Sequence, residues 1–330
     1  MLNRNAEALF WIGRYMERVE NHARLIDVHY HLQMEREATI YEDSGEAGED
    51  KISKWIRIVD ALGSRDAYEK QYGTYTEMEV LHYASLDRDN PNSIVSCVCN
   101  ARNNVRTLRE KLPSEMWDYT NGFYLWLREK RPEELLQDSP HLFYAKIKEW
   151  TAMFLGVAQS VMPRENEWHF IECGRHLERG ENTLRILSSA LQTANSEPWD
   201  QQTAYPYLQA VLRSVSGYQA FRRYYADGIT VEAIMEFVIL NTIFPRSLQY
   251  SLQALDEHLR HIHLQEKSLR NEHEKIIRQV GKLRADMAIL ETEDLAIDRD
   301  GAIIGHLFKS FGQLGVMFAK TFFRMGEASA

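Results

Sequence analysis

The stretch Gly13-Arg14-Tyr15-Met16-Glu17-Arg18-Val19-Glu20-Asn21-His22-Ala23-Arg24 returns later in the chain as Gly174-Arg175-His176-Leu177-Glu178-Arg179-Gly180-Glu181-Asn182-Thr183-Leu184-Arg185. Seven of the twelve positions are identical: the glycine, three arginines, two glutamates and the asparagine. At about 100° per residue, a helix places Gly13, Glu17, Glu20 and Arg24 on one stripe. Arg14 and Asn21 flank that stripe, and Arg18 lies at its edge. Ile12, Met16, Val19, Ala23 and Ile26 occupy the opposite, apolar side. The second copy arranges Gly174, Glu178, Glu181 and Arg185 in the same way, with Leu177, Leu184 and Leu187 behind.

An amphipathic surface helix would need only the i,i+4 pair Glu20–Arg24, worth about 0.2–0.5 kcal/mol. Solvated charges are nearly interchangeable, so such a face should drift between copies. Here the charged side is kept, while Tyr15 becomes His176 and Val19 becomes Gly180. Two readings remain. One is a buried ion-pair network that sets the packing of two halves, because buried charges must be paired and arginine forks match carboxylates. The other is a polar groove, lined by both copies, that binds a ligand or a partner's chain. In either case the candidate residues are Arg14, Glu17, Arg18, Glu20, Asn21, Arg24, Arg175, Glu178, Arg179, Glu181, Asn182 and Arg185.

Working outward, Ala67, Tyr68, Tyr72 and Thr76 are echoed by Ala220, Phe221, Tyr225 and Thr230. Leu86, Pro91, Ser93 and Ile94 are echoed by Leu240, Pro245, Ser247 and Leu248. The order is the same in both halves. The expected architecture is all-α: a helical bundle of two related halves, 1–160 and 161–290, with a C-terminal helical tail over 291–330. Long segments carry apolar residues at three- and four-residue spacing, and β-type alternation is scarce. The 330 residues are 44% apolar, with only 17 Gly and 8 Pro, which excludes disordered and collagen-like chains. A net charge of -9 argues against a general nucleic-acid binder. Three cysteines make no disulfide framework and fit a reducing cytoplasm.

Two late segments stand out. Leu255, Leu259, Ile262, Leu269, Ile276, Val280, Leu283, Met287 and Leu290 follow a four-three spacing. That predicts one long helix with a coiled-coil-like seam, packed on its own bundle or pairing two copies as a homodimer. Ile303 to Phe323 is the most apolar region. His306, Lys309, Gln313 and Lys320 interrupt it, so it reads as a buried terminal helix and no membrane span is expected. Glu42 to Asp50 reads as an acidic loop.

Other chemistry is sparse. Glu79-Val80-Leu81-His82 is one Glu-x-x-His match, without the counterpart a di-iron bundle needs. His258, His261 and His263 sit near Glu257 and could serve zinc, but a solvated helix face is the simpler reading. Cys97-Val98-Cys99 has neither zinc nor thioredoxin spacing. No phosphate loop, dinucleotide fingerprint or nucleophile elbow occurs, so no cofactor and no metal are expected. A second tier of candidates comprises Arg102, Asn104, Arg106, Arg213, Arg222, Arg223 and Arg246. These arginines either pair with the repeat's own glutamates or capture an anion such as a peptide carboxylate.

The opening Met1-Leu2-Asn3-Arg4-Asn5-Ala6-Glu7-Ala8-Leu9-Phe10-Trp11-Ile12-Gly13-Arg14-Tyr15-Met16-Glu17-Arg18 resembles the alpha-E family, bacterial proteins predicted to be all-helical and named for a Glu-Arg motif. Asn90-Pro91-Asn92-Ser93-Ile94, Ala101 to Arg106, Ser114-Glu115-Met116-Trp117, the second Glu-Arg helix and Phe244-Pro245-Arg246-Ser247 carry the resemblance onward. Asn103 departs from it, standing where the family usually has Glu. The resemblance implies a setting among ATP-grasp-type ligases and transglutaminase-like proteins, with amide-bond chemistry on a peptide or small metabolite. The expected function is an accessory or co-catalytic component of such a system, binding a partner, a peptide or a small acid. The alternatives are an enzyme in which Glu17 and Glu178 share a proton, one pKa being raised, and a dimeric scaffold.

Overall fold

In a computed structural model, residues 3–40, 49–137, 139–196, 201–225, 228–297 and 301–323 are described. Most of the acidic stretch Glu42 to Asp50 lies outside them; Glu49 and Asp50 open a helix. The described residues form sixteen helices and no strand. In chain order come α1 (Asn3–Ile40), α2 (Glu49–Ala61), α3 (Arg65–Gln71), α4 (Glu77–Ser85), α5 (Ile94–Thr107), α6 (Ser114–Arg128), α7 (Pro132–Gln137) and α8 (Pro140–Val161). They are followed by α9 (Asn166–Ser196), α10 (Gln201–Ser214), α11 (Tyr218–Tyr224), α12 (Val231–Leu240), α13 (Leu248–Arg260) and α14 (Lys267–Ala288). Then come α15 (Thr292–Ile297) and α16 (Ala302–Phe322).

The two helices that carry the Glu-Arg motif are the axis of the bundle. α1 packs on α9, and α5, α8 and α10 close around α1. α13 and α16 pack on α9. Neither central helix is an amphipathic surface helix. Ile12, Met16, Val19 and Ala23 are buried on one side of α1, and Arg14, Glu17, Glu20 and Asn21 are buried on the other. Residues that echo one another in the sequence do matching local work. Thr76 caps α4 by accepting from the Glu79 N–H, and Thr230 caps α12 by accepting from the Ala233 N–H. Ser93 and Ser247 cap α5 and α13 in the same way. Tyr68 stacks on Tyr72 at 5.0 Å, and Phe221 on Tyr225 at 4.5 Å.

The long late helix is two helices. The four-three seam is interrupted after Arg260, and α14 starts again at Lys267 and packs against α13. No Gly or Pro marks the break. It is fixed from a distance: the Asn166 side-chain amide donates to the His263 carbonyl at 2.9 Å, and its carbonyl accepts from the His263 N–H at 2.8 Å. The seam survives because both pieces bury the same stripe. Leu255, Leu259, Ile262, Ile276, Val280, Leu283 and Met287 are all buried within the chain. This stretch of the seam therefore packs within the chain.

Among the described residues, α16 alone is long and apolar enough to cross a membrane, by length and composition. Its Ile304, Leu307, Phe311, Leu314, Phe318 and Phe322 are buried, and the helix packs on α9 and α14. Phe311 also explains one difference between the two motif copies. A Cβ on Gly180 would come within 2.0 Å of the Phe311 ring, so Gly180 stands where α1 has Val19.

Candidate functional site

The motif glycines set the geometry of everything else. A Cβ on Gly13 would lie 1.9 Å from the Ile171 carbonyl oxygen, and one on Gly174 would lie 2.0 Å from that of Phe10. The helices α1 and α9 thus cross backbone to backbone, which only glycine permits. The crossing brings each Glu-Arg dipeptide to the other helix. Arg179 clamps Glu17, its Nε at 2.8 Å and Nη2 at 2.7 Å. In return Arg18 clamps Glu178, its Nε at 2.7 Å and Nη2 at 2.9 Å. Both carboxylates are fully removed from solvent.

Around this reciprocal centre the two copies diverge. On the Glu178 side, Arg14 donates to Glu178 and Glu181, each at 2.6 Å. On the Glu17 side the corresponding third guanidinium comes from Arg246, at the start of the second half's capped helix. Arg246 reaches Glu17 at 3.3 Å and Asn21 at 2.8 Å, and pairs with Glu20. The position echoing Arg246 is Asn92, which accepts from Arg18 at 2.6 Å. Arg24 pairs with Glu20, and Arg185 reaches Glu181 at 3.3 Å and Asn182 at 2.5 Å. Asn21 and Asn182 add i,i+4 bonds to Glu17 and Glu178 at 3.3 and 3.4 Å.

The structure therefore brings together eleven of the twelve first-tier candidates as a buried ion-pair network. Arg175 is the exception. It turns to Glu172, three residues back on its own helix, and leaves the junction. Of the second tier only Arg246 joins the network. Arg102 lies over Trp117 and Tyr124, 5.2 and 4.8 Å from the ring centres, and its Nε donates to Asn121 at 2.8 Å. Arg213 and Arg222 flank Tyr218 at 5.3 and 5.9 Å. Arg106 and Arg223 are exposed, and Asn104 is half-buried on α5. Among the described residues none of these other arginines lies within ion-pair distance of a carboxylate, so pairing with the repeat's own glutamates is not their role.

The electrostatics remove one expected chemistry. Burial alone would raise the carboxyl pKa of Glu17 and Glu178. Arg179 and Arg246 outweigh it at Glu17, and Arg14 and Arg18 outweigh it at Glu178, so both are held below the ordinary carboxylate range. Glu20 is held at about 2, burial being overcome by Arg246 and Arg24. A proton shared between Glu17 and Glu178 needs one raised carboxyl, and neither has one. Beside the junction, burial and then the Arg18 charge push the His22 imidazole down to about 3. Burial pushes the Cys97 thiol up to about 12, so it is no nucleophile.

A second cluster lies on the outer flank of α9. Glu172, His176 and His258 face one another, with His169 and His261 beside them, in a cleft of about 450 Å³. Of these the sequence reading singled out only the α13 histidines, as a solvated face. His258 instead turns inward to α9, while His261 and His263 remain exposed. The signal for the α9 half was present as His169-x-x-Glu172-x-x-x-His176, one face of one helix.

No solved structure matches the chain. It is 26% identical over 254 residues to uncharacterised proteins of Mycobacterium bovis and Mycobacterium tuberculosis, a match covering 75% of this chain and 28% of theirs. The chain thus spans little more than a quarter of the length of the curated relatives it matches. The wider pattern it satisfies covers residues 1–323 and is described as a predicted alpha-helical domain with a conserved ER motif. With Glu17-Arg18 and Glu178-Arg179 interlocked at the centre of an all-helical fold, the chain belongs to the Alpha-E family.

Proposed function

We propose that the chain is an accessory helical component of an ATP-grasp-type amide-ligation or peptide-modification system. In this reading the rim of the Glu-Arg junction receives an acidic group of a peptide-like substrate or of a partner protein. The observation that carries it is the charge balance. Six guanidiniums (Arg14, Arg18, Arg24, Arg179, Arg185 and Arg246) meet four carboxylates (Glu17, Glu20, Glu178 and Glu181), a surplus of two positive charges. Surplus buried charge is costly, and an incoming carboxylate relieves it. The strain shows at Arg246. Burial lowers its pKa, Glu20 and Glu17 only partly compensate, and the Arg179 and Arg24 charges press it down further. Arg24 and Arg185 are the most exposed of the six, with about a quarter of each side chain open, and the Arg24 Nε is buried without a partner.

The ligase and transglutaminase-like setting rests on the alpha-E resemblance. The length of the mycobacterial relatives supports a module that works beside other domains. The matched caps and stacked rings support two related halves, 1–160 and 161–290. Three free cysteines support a reducing, cytoplasmic home.

The test pairs the full chain with an ATP-grasp-type ligase of the kind that the alpha-E resemblance implies. Adding the chain should raise that protein's ATP turnover, and Arg24→Ala with Arg185→Ala should abolish the rise while the fold is kept. Unchanged turnover on adding the parent chain would overturn the proposal.

A further inference from the structure

The cleft on the outer flank of α9 has no part in the Glu-Arg junction. We infer that Glu172, His176 and His258 form a binding site for a divalent transition-metal ion of the zinc type, with one coordination position left open to the cleft. The Glu172 Oε2 lies 3.7 Å from His176 Nε2 and 3.8 Å from His258 Nε2, and the three ligand atoms all fall within 4.8 Å of one another. Bonds of about 2.0–2.1 Å in a tetrahedral zinc site put neighbouring ligand atoms about 3.4 Å apart. The two distances from Glu172 lie within a few tenths of an ångström of that spacing. Two imidazoles and a carboxylate, with solvent in the fourth place, are a recognised ligand set for that ion.

The surroundings prepare these nitrogens as ligands. His258 Nδ1 lies 3.0 Å from His169 Nδ1, and His169 Nε2 lies 3.2 Å from the Arg164 carbonyl. The carbonyl can only accept, so His169 carries its proton on Nε2 and offers a lone pair at Nδ1. His258 must then donate from Nδ1, which leaves its Nε2 lone pair facing Glu172. This is the outer hydrogen-bond chain that fixes the tautomer of a metal-bound histidine. At His176 an Arg175 guanidinium nitrogen lies 3.3 Å from Nε2, which therefore accepts. Its proton sits on Nδ1, a buried atom without a partner. Burial lowers the pKa of both imidazoles, His258 to about 4, with neighbouring histidine and arginine charges adding to the effect. Both imidazoles are therefore neutral at neutral pH, the His258 Nε2 lone pair facing Glu172 and that of His176 shared with Arg175.

The cluster Asp27, His31 and His141 does not compare. There the carboxylate is likewise paired with a cation, the Lys148 ammonium at 2.6 Å, but both histidines are exposed. In the cleft the opposing charge is Arg175, which bonds both Glu172 oxygens and reaches His176 Nε2, so the ion would take the place of its guanidinium.

Tag-free full chain, stripped with chelator, is titrated with Co(II) by visible absorption and then displaced with Zn(II). One equivalent should bind. His258→Ala and Glu172→Gln should each weaken binding at least tenfold, and Arg175→Ala should tighten it. The paired change His31→Ala with His141→Ala should leave it unchanged. Absence of binding in the micromolar range, or binding that His258→Ala leaves intact, would overturn the site. His258 is only half-buried, so that variant decides the matter if Glu172→Gln does not fold; circular dichroism checks both. A failed ligase test leaves this result untouched, because the readout is the ion itself.

Discussion

The two Glu-Arg helices share an inner face and differ on their flanks. Inward, Glu17–Arg179 and Glu178–Arg18 are near mirror images across the glycine crossing. Outward, α1 carries Trp11, Arg14 and Tyr15, with Trp11 stacked on Tyr15 at 5.1 Å and Arg14 5.4 Å from the Trp11 ring. At the same register α9 carries Glu172, Arg175 and His176. That substitution redirects an arginine. On α1 Trp11 stands in the place of Glu172, and Arg14 crosses to Glu178 and Glu181. On α9 Glu172 captures Arg175, and Arg246 supplies the missing guanidinium to Glu17 and Glu20. Identical residues at identical repeat positions therefore do different work, because a carboxylate one turn away decides where a guanidinium points. The inner face fixes the packing; the flanks differentiate the two sides.

The most severe way to break the comparison is at the crossing. Gly13→Ala or Gly174→Ala puts a methyl group within 2.0 Å of a backbone carbonyl, which cannot swing aside. Each should cost more than about 4 kcal/mol in urea unfolding, or abolish the cooperative transition. Gly281→Ala on α14 meets nothing within 4 Å and should instead stabilise by up to about 1 kcal/mol. A Gly13→Ala protein as stable as its parent would mean that the helices do not meet at their backbones.

A smaller change converts one side into the other. Arg14→Ala leaves Glu178 to Arg18 and Glu181 to Arg185, and should cost about 3 kcal/mol. Asn92→Arg in the parent adds a further cation to a junction already in surplus and should destabilise. Combined with Arg14→Ala, it recreates the Arg246 arrangement on the Glu178 side and should recover at least half the loss. The reversal of sign is the readout. Two substitutions that merely add would show that Asn92 and Arg246 are not equivalent positions.

The helical class was legible from spacing alone, and so were most residues of the junction; Arg175 leaves it, and Arg246 and Asn92 lie outside the repeated stretch. The charged stripe was retained between copies while the apolar stripe changed, and only a buried stripe resists drift. Which partner each charge takes was not legible. In sequence, Glu20–Arg24 and Glu178–Asn182 look like ordinary i,i+4 pairs; in the fold the stronger partners lie more than 150 residues away. The division into α13 and α14 was invisible for a similar reason. The apolar stripe continues through the break, and the break is held by Asn166, nearly a hundred residues earlier. The histidine cleft was half legible. His258 was in view, but its ligand-like neighbours sit on the same helix as the Glu-Arg motif, whose other face had absorbed the reading.

The gentlest test of the comparison is pH, because only one flank titrates near neutrality. Trp11, Arg14 and Tyr15 keep their charge states between pH 8 and 4. On the other flank His176 and His258 are neutral in the folded chain and lie below the ordinary value of 6.5, His258 at about 4. The unfolded chain binds those protons first. Their contribution to stability is therefore complete above about pH 6.5 and is lost progressively as the pH falls toward 4. The junction follows at lower pH. Glu20, held at about 2, contributes fully above about 4.5 and loses that contribution as the pH falls toward 2. Urea unfolding from pH 8 to 4 should show stability declining through the histidine window, most of it above the pH at which the Glu20 contribution begins to fall. Replacing His258 with Gln should flatten that decline by about 2 kcal/mol, whatever it does to stability at pH 8. A slope that His258→Gln does not change would place the titrating groups elsewhere, among His22, His29 and His273, which burial also holds below their ordinary value. The flanks would then differ in shape alone, not in charge.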